Sequence, residues 1–177
     1  MTVFDIICGV IAVALPLVAM ALEHTSEARI SERHHSHHDT FTVPAPYARA
    51  LVDAALVVGV LGLMVAWLCA AGVMRGTPRT VLAFTCAFVL WMFAAWAGAR
   101  DYKISLFGDR MVVSLPFGRG ATVEYARIER MVWHGFRRAS GYRNLAVWVD
   151  GQRVCTLWST LDLERILMRI DRFDALV

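Results

Sequence analysis

The chain has 177 residues and a formal net charge of +3; 58% of its residues are hydrophobic and only 19% are charged. Ordinary soluble domains hold about 45–50% apolar and about 25% charged residues, so this balance, with a mean hydropathy of +0.51, excludes a chain that is soluble throughout. The mild charge, with no long basic run and no nucleic-acid motif, argues against a nucleic-acid partner.

The first apolar segment covers residues 3–22, with Asp5 near its start. A hydrocarbon core about 30 Å thick takes ~20 residues at 1.5 Å each. A cleaved signal is the rival reading, but the first five residues carry an acid and no Lys or Arg, which favours a retained helix. Pro16 predicts a kink, because it removes one backbone donor. In a membrane such a kink is tolerated where a neighbouring helix or water covers the freed carbonyl.

A polar loop is expected over residues 23–49. It contains His24 and the run His34, His35, Ser36, His37, His38 and Asp39, followed by Thr42, Pro44 and Pro46. Clustered imidazoles bind Zn²⁺, Ni²⁺ or Cu²⁺, and His34 and His38 would share one face of a helix. A metal site also needs fixed geometry and supporting partners, so the plainer reading is a solvated loop. No cofactor is expected, and His34, His35, His37 and His38 are the metal alternative.

The second span is placed at residues 50–74, uncharged from Ala54 to Met74. Gly59 and Gly62, then Ala66 and Ala70, offer small surfaces for close helix packing. The third span is placed at residues 81–98, with Trp91 and Trp96 read as headgroup-level rings. Arg75 to Thr80 is a tight turn, so these two spans form an antiparallel hairpin. Lys and Arg are enriched on the cytoplasmic side of span ends. Arg29, Arg33 and Arg49 of the first loop, with Arg100, Lys103, Arg110 and Arg119, outweigh Arg75 and Arg79. The N-terminus is therefore expected outside and the C-terminal part in the cytoplasm.

Past Ala99 the pattern changes to period-two alternation. Residues 102–106 and 111–115 read as a hairpin around Gly108 and Asp109. Residues 121–133 read as one bent strand or two strands in succession. Residues 145–149 and 153–158 read as a hairpin around Asp150 and Gly151. A final helix is expected with Ser159 as N-cap and Asp162 completing a capping box. Its apolar face is Leu163, Ile166, Leu167, Ile170 and Phe173, with Arg165, Arg169 and Arg172 opposite. The domains are thus 1–99, transmembrane, and 100–177, soluble. The fold class is an α+β membrane protein: three transmembrane helices, then a small antiparallel sheet or barrel capped by a helix. Cys8, Cys69, Cys86 and Cys155 have no metal-ligand spacing and read as small buried hydrophobes.

Several stretches give residues 100–174 a resemblance to the bacterial pleckstrin-homology-like domains. They are Tyr102-Lys103-Ile104, Gly108 to Val113, Val123 to Ile128, and Trp158 to Leu163. The resemblance implies a seven-stranded binding or scaffolding module in the cytoplasm, with no catalytic residues, on a multi-pass anchor in a bacterial inner membrane. About six strands are legible here.

Residues 100–177 hold thirteen Lys/Arg against nine Asp/Glu. Phe136, Arg137, Arg138, Tyr142 and Arg143 form a basic, aromatic loop suited to lipid headgroups or a partner, at about 1 kcal/mol per basic residue on an anionic surface. His134 stands alone in its domain, so no enzyme is expected. Asp5 and Asp53 near span ends do not by themselves suggest ion passage. The expected function is a membrane-anchored interaction module that binds protein, peptide or headgroup. Its partners are membrane lipids and other membrane proteins or a second copy. The alternatives are an accessory subunit of a membrane complex and a metal-responsive protein using the histidine loop.

Overall fold

The structure is a computed structural model; it describes residues 2–30, 39–116, 118, 120–135 and 143–177, without the side chains of 26–30. Its elements in chain order begin with α1 (Val3–Ile30), β1 (Asp39–Thr42), α2 (Ala45–Ala70) and α3 (Pro78–Asp101). They continue with β2 (Lys103–Leu106), β3 (Arg110–Ser114), β4 (Ala121–Glu124), a 3₁₀ turn (Tyr125–Arg127) and β5 (Ile128–His134). The last are β6 (Asn144–Val149), β7 (Gln152–Leu157), α4 (Leu163–Ile170) and a 3₁₀ turn (Phe173–Ala175). The chain divides into two compact units: the helices α1 to α3 as far as Ala97, and β1 together with Gly98–Val177.

In the helical unit, Val3–Thr25, Ala45–Ala70 and Pro78–Asp101 are each long and apolar enough to cross a membrane. The bounds differ from the sequence expectation. α1 runs on past Leu22 because nothing from Glu23 to Ile30 breaks an established helix. α2 begins at Ala45, with Pro46 in its first turn, where a missing N–H costs nothing. It ends at Ala70, since Gly72 takes φ +75° and turns residues 71–74 out of the helix. α3 starts at Pro78 for the same reason that Pro46 is tolerated.

The helices meet at small residues. A Cβ on Gly59 would lie 2.4 Å from the carbonyl oxygen of Ala12, and one on Gly62 would lie 2.1 Å from Thr85 Oγ1. Ala66 is buried with Cys8, Leu82 and Cys86, whereas Ala70 faces outward. Trp91 points outward, 72% exposed. Trp96 is buried among Ala19, Ala48 and Val52, and its indole N–H donates to Glu23 Oε1 at 2.8 Å.

The second unit contains two antiparallel sheets, in the orders β1-β2-β3-β4 and β5-β6-β7. β2 and β3 bury alternate residues, Ile104 and Leu106 facing Val113 and Met111 across the hairpin. Residues 121–133 are two strands in different sheets, joined by the 3₁₀ turn. Asp150 (φ 50°) and Gly151 (φ 71°) make the turn between β6 and β7, as their dipeptide predicts. One core joins both sheets to α4, whose Leu163, Ile166, Leu167 and Ile170 are all buried. Burying each such side chain contributes about 1.5–3 kcal/mol.

The cap of α4 is Asp162, not Ser159: its side chain accepts the N–H of Arg165 at 3.2 Å. The helix starts late because residues 158–161 form their own turn, with Leu161 N–H donating to the Trp158 carbonyl. It stops at Asp171, which adopts the left-handed region, so Phe173 leaves the apolar face and is 53% exposed. β1 is a strand that the sequence reading does not place. It comes from the loop between α1 and α2 and pairs with β2 from Asp39↔Leu106 to Thr42↔Lys103.

Candidate functional site

The basic loop and the histidine run fall largely outside the described residues. Phe136, Arg137, Arg138 and Tyr142 lie there, as do His34, His35, His37 and His38. Arg143 is described; it is half-buried just ahead of β6. Register pairs His134 with Asn144, so the two ends of the basic segment are held side by side. Asn144 Oδ1 accepts the N–H of Ser159 at 3.0 Å, which fixes that end to the approach to α4. Among the described residues no group of three His, Cys, Asp or Glu is arranged to hold a metal ion.

A groove of about 700 Å³ lies between β1 and α4. One wall is the strand Asp39–Thr42, terminal in its sheet, and the other presents Arg165, Met168 and Arg169. Phe41 packs its ring on the core, while Asp39, Thr40 and Thr42 are exposed. Asp39 closes one end through an ion pair with Arg169 at 3.1 Å. Arg165 sits 3.7 Å from Asp162, its i–3 neighbour. Met168 stands 69% exposed between the two arginines. An outermost strand offers a row of backbone donors and acceptors to an extended segment. Methionine beside it adapts to varied apolar side chains, and the guanidinium groups suit acidic ones. Helical spacing already puts Arg165 and Arg169 on the solvent face of α4. It gives no sign of the groove, because the facing wall comes from a strand more than 120 residues away in the chain.

Two further features hold this unit in shape. Arg172 reaches across to the turn between the sheets. Its guanidinium donates to the carbonyl oxygens of Tyr125 at 2.6 Å and Ile128 at 3.1 Å, and pairs with Asp174 at 3.0 Å. The bond to Asp174 raises the guanidinium's affinity for its proton and holds the carboxyl below the ordinary aspartate value. The second feature is Tyr102, the single residue between α3 and β2. It is fully buried, its ring packs on Trp158 at 4.8 Å, and its hydroxyl oxygen accepts the Trp158 N–H at 2.9 Å. Burial pushes the Tyr102 hydroxyl up to about 12 and the Cys155 thiol up to about 12. Both groups therefore keep their protons at neutral pH.

At the far edge of the domain, Arg127 pairs with Asp150, and Glu129 accepts the Gly151 N–H at 2.8 Å. These contacts clamp the β6–β7 turn against the start of β5.

Comparison with family models, with curated proteins and with solved structures finds no match to this chain.

Proposed function

We propose that this chain is a membrane-anchored interaction module whose C-terminal unit is a pleckstrin-homology-like domain. In this reading the unit receives an extended segment of a membrane partner in the groove between β1 and α4. The observation that carries it is the completion of the sheet by β1. With that strand the unit has four plus three antiparallel strands around one core, and a C-terminal helix packed on it. This is the layout implied by the resemblance of residues 100–174.

β1 also supports a binding role at the membrane face. Two residues separate it from α2, and one residue separates β2 from α3. The domain is thus tethered to two different helices by short connections, which leaves little freedom to diffuse from the bilayer. Pairing of β1 with β2 supports a common side for the first loop and the C-terminal unit. The ion pair of Arg79 with Asp5 at 3.6 Å supports a common side for the N-terminus and the α2–α3 turn. With the excess of Lys and Arg on the former side, the reading places the domain in the cytoplasm of a bacterium.

Site-specific photocrosslinking of the full-length chain in its native membrane tests the proposal. A photoreactive residue at Met168 is expected to capture a discrete partner, identified by mass. The same residue at Val154, exposed on β7, is expected to capture none. Equal capture at both positions contradicts the proposal. Capture only from Trp67 or Trp91, on the outer faces of α2 and α3, would favour an accessory subunit joined through its helices.

A further inference from the structure

Trp158 carries an exposed indole at the point where the chain leaves α3. The last residues of α3, from Gly98 onward, already belong to the C-terminal unit. Tyr102 N–H donates to the Gly98 carbonyl at 3.1 Å, so Tyr102 is one more helical step, about 1.5 Å, beyond Asp101. No charged residue occurs from Thr80 to Ala99, and Arg100 and Asp101 then end the apolar run. Tyr102 therefore stands where α3 emerges from the hydrocarbon layer.

Trp158, the first residue after β7, is tied to that point twice. Its ring lies on the Tyr102 ring with centroids 4.8 Å apart, and its backbone N–H donates to the Tyr102 hydroxyl oxygen at 2.9 Å. The indole is thus held within one side chain's length of the end of α3. A bilayer of about 40–45 Å with an apolar core of about 30 Å leaves roughly 5–8 Å of headgroups on each face. A ring on Tyr102 falls at that level.

Exposure distinguishes Trp158 from the other indoles of the unit. Tyr102 is fully buried, but Trp158 is 38% exposed. Trp133 packs on the core, and Trp148 lies under the guanidinium of Arg130 at 4.2 Å, next to the β6–β7 turn. Among the described residues nothing accepts the indole N–H of Trp158. Arg100 and Lys103, on either side of Tyr102 in the chain, are exposed as well. An indole with an apolar face and a free donor suits the boundary between hydrocarbon and water, where phosphate and ester oxygens accept hydrogen bonds. Level selects the occupant: what surrounds the end of a membrane span is headgroups.

We infer that Trp158 is an interfacial anchor, whose indole enters the headgroup layer around the end of α3 and donates its N–H to a phospholipid oxygen. The inference rests on α3 crossing the membrane and is independent of any partner in the groove between β1 and α4.

Photocrosslinking of the full-length chain in vesicles of phosphatidylethanolamine and phosphatidylglycerol tests it. A photoreactive residue at Trp158 is expected to give adducts heavier by one phospholipid, and the same residue at Trp148 none. No lipid adduct at Trp158, or equal adducts at both positions, overturns the inference. Lipid adducts at Trp158 without partner capture at Met168 uphold it and count against the groove. A second measurement uses Trp158→Phe, which keeps an aromatic ring on Tyr102. The tryptophan emission lost in that variant is expected to be quenched several-fold more by a nitroxide on the lipid headgroup than by one at the acyl-chain end. Equal quenching by the two overturns the inference.

Discussion

Gly59 of α2 lies directly against the carbonyl of Ala12, the group that Pro16 of α1 leaves without its helical partner. In an unbroken helix the N–H of residue 16 would donate to that oxygen, and proline has none. The place where a Cβ of Gly59 would stand is 2.4 Å from it. A bare Cα–H thus faces the freed carbonyl, an arrangement worth about 0.5–1 kcal/mol where water is scarce. Pro16 itself is buried. The proline in one span and the glycine in another are two halves of one contact.

Gly59→Ala is therefore expected to destabilise the helical unit by about 1–3 kcal/mol, the usual cost of overpacking, because the obstructing atom is backbone and cannot rotate away. Gly9→Ala is the control, since a Cβ there meets only Leu63 at 3.8 Å. Thermal unfolding in detergent should separate the two, with Gly9→Ala unchanged or slightly stabilised.

Gly62→Ala should behave differently. The atoms in the way are Thr85 Oγ1 at 2.1 Å, Cγ2 at 2.5 Å and Cβ at 2.8 Å, all side chain. Thr85→Ala removes the two nearest. The double variant is expected to recover part of the stability lost by Gly62→Ala alone, and no second substitution in the Ala12 side chain should rescue Gly59→Ala. A double-mutant cycle measures the difference.

Much of this architecture is legible in the sequence, and the misreadings share a cause. The three apolar spans, the 102–115 hairpin, the Asp150–Gly151 turn and the apolar face of α4 announce themselves through local composition and period. β1 does not, because a four-residue strand holding a single core side chain, Phe41, carries almost no periodic signal. Its identity is conferred by β2, some 60 residues later. The surroundings of Trp96 are hidden in the same way, because the side chains that bury it and the carboxylate that takes its N–H come from other helices. The groove between β1 and α4 joins distant segments, so its geometry is invisible in the sequence even though Arg165 and Arg169 are in plain view.

The C-terminal unit should lose stability in alkali. Tyr102 and Cys155 have their proton affinities raised by burial, from 10.0 and 9.0 to about 12 in each case. Below about pH 8 both groups are protonated in the folded and unfolded chains, and stability is intact. Between these values and about 12 the unfolded chain releases protons that the folded one retains. Stability then falls by up to about 1.4 kcal/mol per pH unit for each group. Unfolding followed against pH by tyrosine absorbance should show Tyr102 ionising between pH 10 and about 12 only where structure is lost, and Tyr102→Phe should remove its share of the slope.

Arg172→Lys is expected to destabilise the C-terminal unit despite the retained charge. An ammonium cannot reach both the Tyr125 and Ile128 carbonyls while keeping the Asp174 contact, which the planar guanidinium does. Asp174, held low by Arg172, adds stability that is present above about pH 4 and lost as pH falls through its folded value. That acid limb should weaken in Arg172→Ala. Chemical denaturation at pH 7 and pH 3 checks both.

The binding groove exists only if β1 belongs to the C-terminal sheet. Thr40 and Ser105 are register partners, and their hydroxyl oxygens lie 3.4 Å apart. Thr40→Cys combined with Ser105→Cys should therefore form a disulfide when mild oxidant is added to native membranes, mapped by peptide mass. Thr42→Cys with Ser105→Cys, out of register, should not. If the two thiols introduced at Thr40 and Ser105 instead stay fully open to alkylation after oxidation, β1 does not complete the sheet and the proposed groove has no second wall.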